Sequence, residues 1–344
     1  MNPLLRQAGL LPVFGILLVL HSASYAQQSS ETLELYSRSA ELMGVEFRIS
    51  LYADSETRAA EACEKAFARI SQIESRLSNY QADSEVNLLC QSDEPVLVSD
   101  DLWFVLKESV FYWQVSEGAF DVTVGRLTRL WRRARRTKQL PTTQRLRQEL
   151  LYVGTQYLRL NPKDQTVAIL KPGVLIDLGA IGKGYAADEA LAVLHSLGIE
   201  SAVINASGDV LFGEPPPGKS GWPAAVSGLD PNGSPRLLEP QANTAIATSG
   251  DAYQHLELNG RRYSHIIDPR NGSPVRGRSS VSVLANSGLR SDALASAVAV
   301  LGPRAGLKLI ESLAGTEATV LYQRRNGKAI GDYRTVGFPL KSKD

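Results

Sequence analysis

Three glycines and a lysine concentrate the chemistry of this sequence. In the tract DLGAIGKGYAAD, residues 177–188, Gly179, Gly182 and Gly184 join an apolar strand pattern to a helix pattern, and Lys183 lies inside the turn. Glycines let a backbone come close to a ligand, and amide groups at a helix start favour phosphate, so this turn is suited to cradle a pyrophosphate. Gly182, Gly184 and Ala187 also fit the GxGxxA form of the dinucleotide fingerprint, which would imply a Rossmann dehydrogenase. Against that reading, the strand pattern that follows ends in Asn205, where such a fold places an acid for the ribose. Glycines that merely turn a strand into a helix satisfy the same spacing.

The elements that must position this turn alternate without a regular repeat. Residues 46–51 alternate like a half-buried strand, 57–77 read as a long amphipathic helix, and 102–115 as a helix opened by Ser99 and Asp100. A strand is expected over 173–177, a helix over 185–197, a strand over 201–205, extended segments over 263–267 and 279–285, and a short helix over 292–301. Such an order predicts an α+β fold with a mixed sheet and packed helices rather than a doubly wound parallel sheet. No linker separates independent units, although 213–232, with Pro215, Pro216 and Pro217, is expected to be a surface excursion. The chain reads as one body.

Arg6, an apolar stretch over 8–20 and the small-residue run from Ser22 to Ala26 form the layout of a secretory signal peptide with a cut after Ala26. The apolar core is shorter than the roughly 20 residues of a spanning helix, although an uncleaved anchor would share this layout. The expected organisation is therefore a signal peptide at 1–26 and one domain at 27–344, exported to the periplasm or envelope without a stable membrane span. One of the 37 basic residues and none of the 36 acidic ones lies in the leader, so the rest is formally neutral and nothing global favours nucleic acid. The basic run from Arg126 to Lys138 reads as a solvated helix face, with a polyanion patch as the alternative. Export would permit Cys63 and Cys90 to pair, but Cys63 lies on the apolar stripe of Phe67, Ile70 and Leu77, where a free buried thiol is common. His195, His255 and His265 lack the pairing with cysteine of a zinc site.

The glycine tract has company. MGVEF at 43–47, ESRLSNYQADSEVNLL at 74–89, GAFDVTVG at 118–125, NASGD at 205–209, ATSGDAY at 247–253, YSHIIDPRNGSPV at 263–275 and SDALASAVAVLG at 291–302 surround it in order. Together these tracts resemble the motifs of the ApbE family of FAD:protein FMN transferases, and the resemblance covers nearly the whole chain beyond the leader. It implies an ApbE-like, tunnelling-fold-like single body that binds FAD as substrate with magnesium. The activity implied is transfer of FMN to a threonine or serine of an acceptor flavoprotein subunit in a membrane redox complex, with release of AMP. Some members act mainly as FAD pyrophosphatases, and a flavin-binding protein without turnover is a reading of another class.

The resemblance places Met43, Tyr80, Ala119, Phe120, Asp121, Asp177, Lys183 and Ile266 at FAD. Tyr80 and Met43 offer flat or polarisable surface to a ring system and Lys183 neutralises phosphate, while Met43 and Phe120 read equally well as core residues. It places the metal at Asp292, Ser296 and the Ala180 carbonyl. Asp292 and Ser296, four apart on a helix, project from one face and suit one hard cation, although Asp292 alone also reads as a helix cap. His265, with Asp268 nearby in sequence, is the candidate base for the attacking hydroxyl, or else a structural histidine in a strand. Three departures stand out: Ser296 for the usual threonine, Ala295 where some members carry a further acid, and Ser207 for a glycine.

Overall fold

The computed structural model describes residues 32–230, 232–251, 255–323 and 329–341. The leader expected at 1–26, and Ala252 and Tyr253 of the ATSGDAY tract, lie outside the described residues. The chain divides into two units, Met1–Thr32 and Leu33–Asp344, and every element named below belongs to the second.

Its centre is an eight-stranded sheet whose spatial order is its chain order: β1 (Glu34–Leu42), β2 (Val45–Ala53), β3 (Ala202–Ala206), β4 (Asp209–Phe212), β5 (Thr244–Gly250), β6 (Arg278–Ala285), β7 (Glu317–Gln323) and β8 (Ile330–Arg334). The α+β expectation holds, and the pairing is more uniform than a mixed sheet. Every ladder is antiparallel, and the only parallel pairing among the described residues is the isolated Val124–Leu175 bridge. Short turns join β1 to β2 and β3 to β4, and the longer connections also return each strand antiparallel beside its predecessor.

The helices are α1 (Glu56–Leu77), α2 (Glu85–Gln91), α3 (Asp100–Val115), α4 (Gly125–Thr137), α5 (Thr143–Leu150), α6 (Gly182–Ser196) and α7 (Gly288–Glu311). The first six lie in the connection from β2 to β3, and α7 in that from β6 to β7. Period-two alternation on β2 sends Phe47, Ile49 and Leu51 into one core with Ile70 of α1, Leu194 of α6 and Leu294 of α7. The opposite face buries Phe212 and Ile246 under Trp222, Leu238 and Phe338. The expected surface excursion at 213–232 is thus part of a ribbon, Trp222–Val226 paired with Arg236–Gln241, that covers this second face. The proline run at 215–217 signals a turn, but Trp222, 5.8 Å ring to ring from Tyr52, decides where the segment goes.

Two other expectations change. Residues 173–177 join no ladder, because their bonds go to the segment at 122–125: Asp177 N donates to Val122 O at 2.7 Å and Gly125 N to Leu175 O at 2.9 Å. That pairing ties the GAFDVTVG tract to the glycine tract. Helix α7 begins ahead of residue 292, where the Ser287 hydroxyl accepts from Arg290 N, and resumes after a break at Gly302 (φ 76) with Pro303 opening the next turn. By length and apolar composition α7 is a candidate membrane span, yet Ala293, Leu294, Ala297 and Val298 are spent on the core. Cys63 and Cys90 are both free; burial pushes the Cys63 thiol up to about 11, and the Cys90 sulfur accepts from Ile176 N.

Ser207 and Gly208 form the two-residue turn between β3 and β4 at φ 54 and 101. Positive φ at both positions is the hairpin geometry that glycine accepts readily. Ser207→Gly is therefore expected to stabilise the fold by about 0.5–1 kcal/mol, read as a higher urea midpoint at unchanged slope.

Candidate functional site

Helices α6 and α7 meet backbone to backbone. A Cβ on Gly184 would lie 2.1 Å from Gly288 O, and one on Gly288 would lie 2.5 Å from Gly184 O. Asp188, one turn along α6, clamps the start of α7 by accepting from Gly288 N at 2.6 Å and Leu289 N at 2.9 Å. These amides would otherwise be orphaned at a helix start. The close approach sets Asp292 of α7 against the first turn of α6, where its Oδ2 accepts from Gly184 N and from Lys183 Nζ, each at 3.3 Å.

Lys183 also reaches Asp209 Oδ2 at 2.9 Å, just past the Ser207–Gly208 turn, while Asp209 Oδ1 accepts from Thr248 N. Burial works against the ammonium, but the two carboxylates outweigh it and hold the Lys183 pKa above its ordinary range. Asp292 is 4% exposed; burial pushes its carboxyl up to about 6, with Lys183 pulling down and Asp209 pushing up. The result is one cation between two acids at the mouth of a glycine turn.

Around that centre, Asp177 braces the turn by accepting from Gly179 N at 3.0 Å on Oδ1, and from Thr128 Oγ1 and Arg132 Nη2 on Oδ2 at 2.7 and 3.0 Å. The Arg132 guanidinium in turn sits 4.5 Å from the ring centroid of Tyr80, which is 77% exposed. Met43, in the β1–β2 turn at φ 53, brings its Cε within 3.5 Å of where a Gly182 Cβ would be. Met43, Tyr80, Asp177, Ala180, Lys183 and Asp292 thus gather at one turn.

Ala119, Phe120 and Asp121 sit deeper. Phe120 is buried edge-on to Tyr112, and both Asp121 oxygens are engaged internally, by Thr123 and Thr155 through their amides and hydroxyls. Asp121 therefore shapes its loop from within, and burial raises its pKa despite those bonds. Half-buried His265 precedes Ile266, whose carbonyl accepts from Val275 N. Asp268 gives its carboxylate to Arg270 and Asn271 of its own loop.

Residues 43–320 match the ApbE family. The chain belongs to that family. It is 33% identical over 250 residues, 71% of its own length and 74% of the relative's, to the FAD:protein FMN transferase of Vibrio cholerae. It is 29% identical to that of Haemophilus influenzae over 87% of this chain and 90% of the relative. Among solved structures, the flavin transferase ApbE from Vibrio cholerae superposes with a TM-score of 0.77 at 29% identity, covering 89% of this chain and 99% of that one. The apo flavinyl transferase ApbE of Pseudomonas stutzeri gives 0.76 at 25% identity, covering 88% and 94%.

As an ApbE family member the protein is a flavin transferase with FAD as its substrate. The Rossmann reading falls with the antiparallel sheet. Two residues of the site lay outside sequence expectation. Asp209 closes the NASGD tract, and its acidic character was the available signal. Arg132 belongs to the basic run taken as a solvated face; Arg129, Arg133 and Arg136 are indeed exposed, but Arg132 turns inward to Asp177.

The ApbE metal positions can be tested on donor chemistry. Among the described residues, no group of three or more His, Cys, Asp or Glu could hold a metal, so a cation here would rely on other oxygens. Asp292 Oδ1 takes no hydrogen bond among the described residues, and no backbone amide among them donates to the Ala180 carbonyl. Ser296 Oγ, one turn after Asp292, has Ser249 Oγ at 3.3 Å. A carboxylate oxygen, a carbonyl and a hydroxyl form a hard set that fits magnesium, which takes few protein ligands when phosphate and water complete its shell.

Proposed function

We propose that this ApbE family member is a magnesium-dependent FAD:protein FMN transferase that attaches FMN to a threonine or serine hydroxyl of an acceptor flavoprotein and releases AMP. Lys183, held between Asp209 and Asp292 beside the amides of the glycine turn, carries this reading. Its charge meets the diphosphate, and positioning with electrostatics dominates phosphoryl transfer. Tyr80 and Met43 give the flat part of the dinucleotide a surface. His265 takes the proton of the acceptor hydroxyl as that oxygen bonds to the FMN phosphorus, while the bond from that phosphorus to the bridging oxygen breaks and AMP leaves. Magnesium, held by Asp292, Ser296 and the Ala180 carbonyl, would neutralise charge on the diphosphate.

In this reading residues 27–344 form the catalytic body, exported behind a signal peptide at 1–26, and the acceptor is a subunit of a membrane redox complex. The test is incubation of the processed protein with FAD, magnesium and a candidate acceptor, followed by intact-mass analysis and quantification of AMP. One FMN mass on the acceptor with matching AMP, lost on chelation and in Asp292→Ala, is expected. Free FMN and AMP without labelling would make it a pyrophosphatase, and intact bound FAD would make it a carrier.

Tyr80→Ala should raise KM for FAD about tenfold with kcat little changed, because a stacking platform contributes mainly to uniform binding.

A further inference from the structure

Beyond the reacting centre, a groove of about 770 Å³ runs between the loop that follows His265 and the broken part of α7. It continues the site along one helix face. Asp292, Ser296 and Val300 are four residues apart in succession and so share a stripe of α7; Val300 lines the groove one turn beyond Ser296. The facing wall, with Asp268, Pro274 and Val275, belongs to the segment that carries His265 and Ile266. A chain lying in this groove would therefore end beside both the proposed base and the proposed metal positions.

The charge of the groove is one-sided. Arg276 and Arg304 line it, both exposed, and neither makes an ion pair among the described residues. Its acid, Asp268, is already committed to Arg270 and Asn271. Tyr322 and Tyr333 add ring surface on the sheet side, Tyr333 being 40% exposed. Two uncompensated guanidinium groups beside tyrosine rings and a proline-lined wall fit a peptide with carboxylate side chains, which arginine binds in bidentate geometry.

We propose that this groove docks the acceptor protein through acidic residues flanking its target hydroxyl, with Arg276 and Arg304 as the residues that select it. The inference rests on the transferase reading above, and it makes acceptor choice separable from FAD binding, because the groove lies past Ser296 rather than at the glycine turn.

The test compares the wild type with Arg276→Glu/Arg304→Glu and, as a milder pair, Arg276→Gln/Arg304→Gln. Acceptor labelling is followed by intact mass, and FAD affinity by flavin fluorescence. Charge reversal should lower kcat/KM for the acceptor by about tenfold or more, mostly through KM, with the neutral pair intermediate and FAD affinity unchanged. An acceptor whose flanking acids are changed to lysine should recover labelling with the reversed variant. Equal labelling by all three enzymes would overturn the proposal, as would loss of FAD affinity, which would assign the groove to the nucleotide. A wild type that labels no acceptor at all would instead overturn the transferase reading.

Discussion

Lys183→Met is expected to cut flavin transfer by about a thousandfold and to destabilise the fold by about 3–5 kcal/mol at neutral pH. The activity loss follows from removing the one ammonium at the glycine turn, where charge develops on the diphosphate. The stability loss has another origin: Asp209 and Asp292 remain, with no cation between them. Its pH dependence has a definite sign. The Asp292 pKa is raised in the folded state to about 6, so the folded protein holds this proton more tightly than the unfolded chain does. The associated stability is present in acid and lost as pH rises through about 6. Without Lys183 the folded pKa rises further and the loss at neutral pH grows. Denaturant midpoints of wild type and variant should lie close together near pH 4.5 and separate as pH rises. A constant gap would show that the lysine matters for packing alone.

Gly184→Val should be the most damaging change that removes no functional group. Even the first added carbon would fall 2.1 Å from the Gly288 carbonyl oxygen, and that obstacle is backbone rather than a side chain that can turn away. The helices must separate, which costs about 3 kcal/mol in a packed interior. Separation also carries Asp292 away from Lys183, and a displacement of about 1 Å near the reacting atoms is worth roughly a hundredfold in rate. Reduced helix content together with lost labelling would be the signature. Near-native activity would mean that the two helix starts need not touch.

The sequence revealed what is local. The helices α1 and α3 follow from apolar spacing, α3 also from its Ser99 cap, and the glycine turn from its own composition. The tracts that carry the ApbE resemblance led to Lys183, Asp177 and Asp292 because each lies inside a short distinctive run. What local pattern could not supply were decisions made by distant partners. Residues 173–177 look like a strand but are claimed by 122–125, and the arginines of α4 look alike until one finds Asp177. Asp209 is one acid among many until a hairpin turn brings it to Lys183. Asp121 resembles a ligand-facing acid, yet two threonines, one of them Thr155, saturate it.

Strands β2 and β3 are hydrogen-bonded neighbours, yet residues 54–201 separate them along the chain. Closing so long a loop delays their pairing, and high contact order slows folding. During synthesis the β1–β2 hairpin must wait, with an open edge on β2, until β3 has been made. A chain truncated before residue 206 would keep that edge exposed and offer it to other chains. Because the glycine turn emerges only late in that wait, and Asp209 and Asp292 after it, a nascent chain has no complete place for FAD, and flavin becomes a ligand of the finished sheet alone.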